Sequence, residues 1–248
     1  MEIQKGWEPF SFDNGSKIGI LLSQGFTGST SSVIYLGRKL SEAGFNVEGP
    51  RLSGHGTRWE DIIGVRYTDW ISDVENAYVK LKKNSDIIFT AGLSMGGTLA
   101  LRLAEIHPEI RGIITVNHSL FAACELAPLL PVLKVFLKSA DAISSDLKDK
   151  NVREISYNRT PIYGVNELVK LQKITRLYLS RIKVPVLFFK STEDHVLRAK
   201  NTVWAYRKIP SEDKELIWLK NSYHVATMDH DKDLIAEETI KFIKKHST

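Results

Sequence analysis

Five residues, Gly92-Leu93-Ser94-Met95-Gly96, constrain this chain more than any other stretch. Before them, Ile87-Ile88-Phe89-Thr90-Ala91 is short, apolar and β-prone. After them, Thr98-Leu99-Ala100-Leu101-Arg102-Leu103-Ala104-Glu105 is rich in good helix formers, with Leu99 and Leu103 one turn apart. A turn that passes straight from strand to helix crowds the backbone two positions either side of its apex, where only glycine lacks a Cβ to collide. The spacing therefore predicts a nucleophile elbow with Ser94 Oγ raised above the end of a sheet. The helix that follows aims unpaired N–H groups at the same spot, which makes the Met95 amide a candidate oxyanion donor. The chemistry this predicts is acyl transfer.

A serine hydroxyl is a poor nucleophile at neutral pH, so the elbow calls for a histidine base and a carboxylate that orients it. On an elbow of this kind the chain order is serine, then acid, then histidine. Residues 184–190 read as a buried strand, and the loop beyond carries Glu193 and Asp194. Asp194 is preferred as the acid because the shorter side chain suits a tight turn, with Glu193 the neighbouring alternative. Among the seven histidines, His55 precedes the serine, His107 lies beside Pro108, and His246 is in the tail. His118 is placed near the pocket but precedes the acid, His195 abuts it, and His230 sits near the last helix. His224 remains: it leaves the end of the strand at residues 215–219, as Asp194 leaves the end of its own, so both converge above Ser94. The second oxyanion donor is expected after an early strand, where Ile18-Gly19-Ile20-Leu21-Leu22 leads into Ser23-Gln24-Gly25-Phe26-Thr27-Gly28, and the Phe26 amide is the candidate. That loop lacks the spacing and the lysine of a phosphate-binding loop.

Length and composition fit one α/β domain. The 248 residues, 43% of them apolar, supply a sizeable core, and strands alternate with helices from Ile18 to a last helix near residues 234–244. That alternation predicts a mostly parallel sheet with helices on both faces. It stops at residues 119–182, where helix-like segments suggest a cap inserted into the domain. Residues 126–137 are strongly apolar but broken by two prolines and a lysine, too interrupted to span a membrane. They are expected to pack over the core, to line an acyl tunnel and to touch lipid aggregates. Cys124 is the only cysteine, which excludes an intrachain disulfide, and it is expected to be buried or inert.

The formal charge of +5 comes with lysine runs that read as solvated helix faces. Without a recognition motif it gives no ground for a nucleic-acid partner; it predicts weak, salt-sensitive attraction to anionic membrane or micelle surfaces. Residues 1–7 contain no apolar signal core, so a cytoplasmic location is expected. No residues have metal-ligand spacing, and the expected mechanism needs neither metal nor cofactor.

At this point the chain resembles a known family along most of its length. Gln24-Gly25-Phe26-Thr27-Gly28, Pro50-Arg51-Leu52-Ser53-Gly54-His55-Gly56-Thr57, the elbow with Gly97-Thr98-Leu99, Glu193-Asp194-His195-Val196 and Asn221-Ser222-Tyr223-His224-Val225-Ala226-Thr227 are similar to segments of the α/β-hydrolase serine esterases. The likeness is greatest to bacterial monoacylglycerol lipases and related small carboxylesterases. It implies Ser94, Asp194 and His224 as the triad, Phe26 and Met95 as oxyanion donors, and a lipid ester as substrate. Two departures stand out. Gln24 occupies a position usually held by histidine, and Leu197-Arg198 replaces a proline-containing segment; both are expected to affect loops rather than chemistry. The resemblance further implies that Glu154 binds the glycerol hydroxyls, whereas the residues alone favour a surface glutamate paired with Arg153 or Lys150. Ile143 and Asn117 are weaker candidates for bordering the substrate. A broad carboxylesterase or thioesterase is the alternative activity, and a non-catalytic ligand-binding receptor the alternative class.

Overall fold

The computed structural model describes residues 2–122, 127–142 and 145–247. Cys124, Ile143 and the first residue of the apolar run, Leu126, lie outside them. Strand β1 (Phe10–Phe12) precedes β2 (Ile18–Ser23), α1 (Ser31–Glu42), β3 (Asn46–Gly49), α2 (Tyr67–Lys82), β4 (Ile87–Leu93), α3 (Met95–Ile106) and β5 (Gly112–Val116). Then come α4 (Leu130–Phe136), a hairpin of β6 (Ser139–Asp141) and β7 (Arg159–Pro161), and α5 (Ile162–Tyr178). The chain returns through β8 (Val186–Ser191), α6 (Lys200–Lys208), β9 (Lys214–Leu219) and α7 (Lys232–His246).

Seven strands form one sheet in the order β1-β3-β2-β4-β5-β8-β9, parallel throughout except for the antiparallel edge strand β1. Period-two side-chain alternation divides its apolar residues between two faces. Leu21, Ile88, Ile113, Val186 and Phe188 pack under α2 and α3; Ile20, Phe89, Ile114, Leu187 and Phe189 pack under α1 and α7. Strands buried on both sides read as near-continuous apolar runs, which is why β2, β4 and β8 were legible in the sequence and the short β1 and β3 were not. The crossover through α1 and the crossovers through α2 and α3 lie on opposite faces. The ends of β2 and β4 therefore flank a crevice, the place where open α/β sheets bind ligands.

Among the described residues of 119–182, α4 and α5 are the longest elements, with one short strand pair between them. After α4 the chain makes a two-stranded hairpin in which Ser139 pairs with Pro161 and Asp141 with Arg159. Pro161 cannot donate to a helix ladder, but it suits the end of an edge strand and caps α5. Residues 145–157 form no helix. Asp229 holds their start by accepting the amides of Lys148 and Asp149 at 2.7 and 2.9 Å. Their end is tied to the loop after β2 by a Gly28–Ser156 bridge and by Tyr157 N–H donating to Thr27 O at 2.9 Å. In α4, Leu130 is buried, while Val135 and Phe136 are 73% and 79% exposed. Among the described residues no helix is long and apolar enough to cross a membrane.

Candidate active site

The elbow is built by exclusion of side chains. Ser94 takes φ 56° and ψ −117°, a conformation that costs on the order of 1–3 kcal/mol and persists only where its surroundings dictate it. Ser94 N–H donates to Val116 O at 2.9 Å, and Ser94 O accepts the amides of Thr98 and Ser119, each at 3.2 Å. A Cβ on Gly92 would stand 2.2 Å from Gly96 C, and one on Gly96 would stand 2.1 Å from Ser23 O. Both neighbours are backbone and cannot yield without moving a strand or the helix. Gly96→Ala is therefore expected to destabilise the protein by about 3 kcal/mol or more, and thermal unfolding within a degree or two of the parent contradicts this account.

The loop after β2 runs against the serine. A Cβ on Gly25 would lie 3.3 Å from Ser94 Cβ, and Gly25, Phe26 and Ser94 line one cavity of about 310 Å³. Met95 begins α3, so its N–H has no helical carbonyl to bond, and among the described residues Phe26 N–H makes no hydrogen bond. Two buried side chains shape this loop. Gln24 donates from Nε2 to Gly28 O at 3.3 Å, a bond within the loop. His55 was not anticipated as a support: its Nε2 accepts the amide of Thr27 at 3.2 Å, and Nδ1 meets Ser53 O at 3.1 Å. The carbonyl can only accept, so Nδ1 carries the proton and the ring is neutral. Burial pushes His55 down to about 4, which keeps that tautomer over the physiological range. Thr27 has φ 61°, and His55 holds it there beside Phe26.

His224 and Asp194 meet as the chain order predicts. His224 Nδ1 lies 3.1 and 3.0 Å from the two carboxylate oxygens of Asp194. Donation to a carboxylate leaves Nε2 of the neutral ring as an acceptor, and His224 lines the same cavity as Ser94. Asp194 has no exposed side-chain surface. Its Oδ1 accepts the amides of Val196 and Leu197 at 2.9 and 2.8 Å, and Oδ2 is ion-paired with Lys190. Burial alone would raise this carboxyl; His224 and Lys190 outweigh it and hold Asp194 well below the usual carboxylate range. Burial also draws the Lys190 ammonium below its ordinary range, with Asp194 opposing. Glu193, the alternative acid, instead points outward to Lys148 at 3.1 Å.

Three further residues fall where sequence reasoning did not put them. Asn117 is fully buried behind the site and does not line the cavity, which corrects its expected place beside the substrate. Its Nδ2 donates to His224 O and Ser191 Oγ, each at 2.9 Å, and its Oδ1 accepts Ser191 N–H at 2.9 Å. His118 is likewise buried, against Thr115 Oγ1 and Asn201 O, and burial lowers it to about 3. Asp146 accepts the His224 amide at 3.1 Å while its other oxygen meets His195 Nδ1 at 2.9 Å, so it anchors the loop that carries His224. Strand-end position alone could not distinguish a residue facing a pocket from one facing the loop behind it.

The same cavity is lined by Asp146 and Glu154 as well as Ser94 and His224, and Leu130 on α4 with Ile162, Val165, Leu168 and Val169 on α5 give it an apolar wall. Glu154 faces the cavity rather than Arg153 or Lys150, and its Oε1 comes within 2.8 Å of where a Gly28 Cβ would stand. Burial pushes its carboxyl up to about 7 against the opposing pull of His224. Ile143 lies outside the described residues.

Fold and elbow together define an α/β-hydrolase. The family model described as serine aminopeptidase, S33, matches residues 16–231, and the chain belongs to that family. It is 41% identical to the thermostable monoacylglycerol lipase of Bacillus sp. (strain H-257), over 99% of this chain and 97% of that protein. It is 30% identical to a carboxylesterase of Bacillus subtilis (strain 168), over 96% of each. A solved structure from work on two metagenome-derived lipolytic enzymes, LipS and LipT, superposes with a TM-score of 0.96 at 38% identity, covering 99% of this chain and 100% of that one.

Proposed function

We propose that the chain hydrolyses monoacylglycerols to glycerol and a fatty acid through an acyl-serine intermediate. The observation that carries this reading is one cavity that joins Ser94 and His224, the carboxylate of Glu154 and an apolar wall. An acyl chain suits the wall, and vicinal hydroxyls suit a carboxylate acceptor. The lipase and esterase relatives support the same substrate class.

Ser94 Oγ attacks the ester carbonyl as His224 Nε2 takes its proton. The oxyanion is held by the amides of Phe26 and Met95, and the ion pair with Asp194 stabilises the imidazolium. His224 then gives the proton to the departing glycerol oxygen. Water, deprotonated by the same histidine, attacks the acyl-serine; as the bond to Ser94 Oγ breaks, His224 returns the proton to that oxygen and the fatty acid leaves. Residues 119–182 act as a cap inserted within a single domain of residues 1–248. The exposed Val132, Val135 and Phe136 let that cap rest on a lipid surface, with Lys134 beside them to meet anionic headgroups.

Hydrolysis of a medium-chain monoacylglycerol is to be compared with that of the matching methyl ester. The parent should prefer the glycerol ester. Glu154→Ala should lose about 10- to 100-fold in kcat/KM on the monoacylglycerol, the worth of hydrogen bonds to a charged group, and little on the methyl ester. Equal rates on both esters, unchanged in the variant, would leave a general carboxylesterase and remove Glu154 from recognition.

A further inference from the structure

Lys190 carries a charge where charges are rare. Its side chain is 1% exposed, at the C-terminal end of a strand buried along its whole length. Nζ is ion-paired with Asp194 Oδ2, donates to Leu197 O at 2.8 Å, and reaches Asn117 Oδ1 at 3.3 Å. An ammonium has three donors, and these partners use all three. The same Asp194 meets His224 through both oxygens, so one carboxylate lies between a lysine and the histidine. With Oδ2 fixed by Lys190 and Oδ1 by the amides of Val196 and Leu197, the carboxylate cannot rotate away from Nδ1.

Counting charge inside this cluster gives the lysine a second consequence. With His224 neutral, Asp194 and Lys190 sum to zero; protonating His224 leaves a net positive charge in a water-poor site. Without the lysine, the neutral-histidine state would carry a net negative charge, and protonation would relieve it. We propose that Lys190 is a positioning residue of the acid–base pair, holding Asp194 in register and cancelling its charge so that His224 stays an unprotonated base to lower pH than the carboxylate alone would permit. The proposal rests on the reading of His224 and Asp194 as that pair. Other ionisable groups face the cluster. Asp146 accepts the His224 amide, His195 pairs with Asp146, Glu154 borders the cavity beside His224, and buried His118 feels the Lys190 charge from behind the site. All four side chains are kept in every Lys190 variant, and folding followed across the same pH range separates an effect on His224 from one on buried His118.

The test is kcat/KM against pH for a soluble monoacylglycerol, in the parent, Lys190→Gln, Lys190→Met and Lys190→Arg, with folding followed by circular dichroism. Gln keeps a hydrogen-bond donor without charge; Met keeps the length of the side chain and provides a neutral variant should Gln fail to fold. The acid limb should move to higher pH by about one unit or more in the neutral variants, the scale of removing a charge next to an ionisable pair, and stay in place in Lys190→Arg. A folded neutral variant whose acid limb does not move, whatever its overall loss of rate, overturns the proposal and leaves Lys190 a structural strut. His224→Ala, assayed alongside, separates the two failures. If it retains activity, the acid–base reading itself falls; if it is inactive while the limb stays fixed, only the role of Lys190 falls.

Discussion

Ser94→Ala should lower kcat for monoacylglycerol hydrolysis by about six orders of magnitude, as loss of the nucleophile does in serine proteases, while the protein remains folded. The fold should survive because the elbow is held by main-chain bonds from Ser94 N–H and O, which alanine retains. Alanine also occupies the same positive φ with no bulkier side chain than serine. Residual rate above that of water should persist, since the proposed mechanism leaves the Phe26 and Met95 amides and the apolar wall to bind and polarise the ester. Activity within tenfold of the parent, after purification that excludes contaminating esterase, would remove Ser94 from the mechanism.

Asp194→Asn should cost about four orders of magnitude in kcat, because an amide does not hold the imidazole in the tautomer that presents an acceptor to the serine. Here the substitution carries a second cost. Asp194 is the carboxylate partner of a lysine that is itself almost wholly buried. Removing one member of a buried pair leaves the other uncompensated, at about 3–5 kcal/mol. Asp194→Asn should therefore unfold at clearly lower temperature than Ser94→Ala, although each changes one residue of the same site. Assays belong well below its unfolding midpoint, so that lost rate is not lost protein. A variant as stable as the parent would mean that Lys190 finds other partners when Asp194 no longer carries charge.

The elbow and the order of serine, acid and histidine were legible because each follows from local spacing. Glycine must flank Ser94 where a Cβ would strike backbone, and Asp194 and His224 each leave the end of a strand. Strands β2, β4 and β8 were legible for a related reason, being apolar runs buried on both faces, whereas β1 and β3 are too short to show. Residues whose meaning depends on a partner far along the chain were not. His55 reads as one member of a Gly-His-Gly run until Thr27 is seen to donate to it. Lys190 reads as the polar end of a strand, and only the turn that brings Asp194 back beneath it makes it a buried ion. The spacing Lys-x-x-x-Asp across that turn was the one signal available. Asn117, a candidate for bordering the substrate, instead packs on the loops behind the site, where its partners Ser191 and His224 are far along the chain. Within residues 119–182 the helical segments were legible, whereas a three-residue strand pair leaves almost no periodic trace.

Everything proposed for this site rests on Ser94 as the nucleophile through which monoacylglycerol is cleaved. The most direct measurement labels the parent protein with a fluorophosphonate, following the fraction modified by intact mass, the modified residue by peptide mapping, and monoacylglycerol hydrolysis on the same samples. One phosphonyl group per chain is expected, on Ser94, with hydrolysis falling in proportion to the fraction labelled. Hydrolysis that persists when Ser94 is fully modified, or that disappears with the label on another residue, would contradict it.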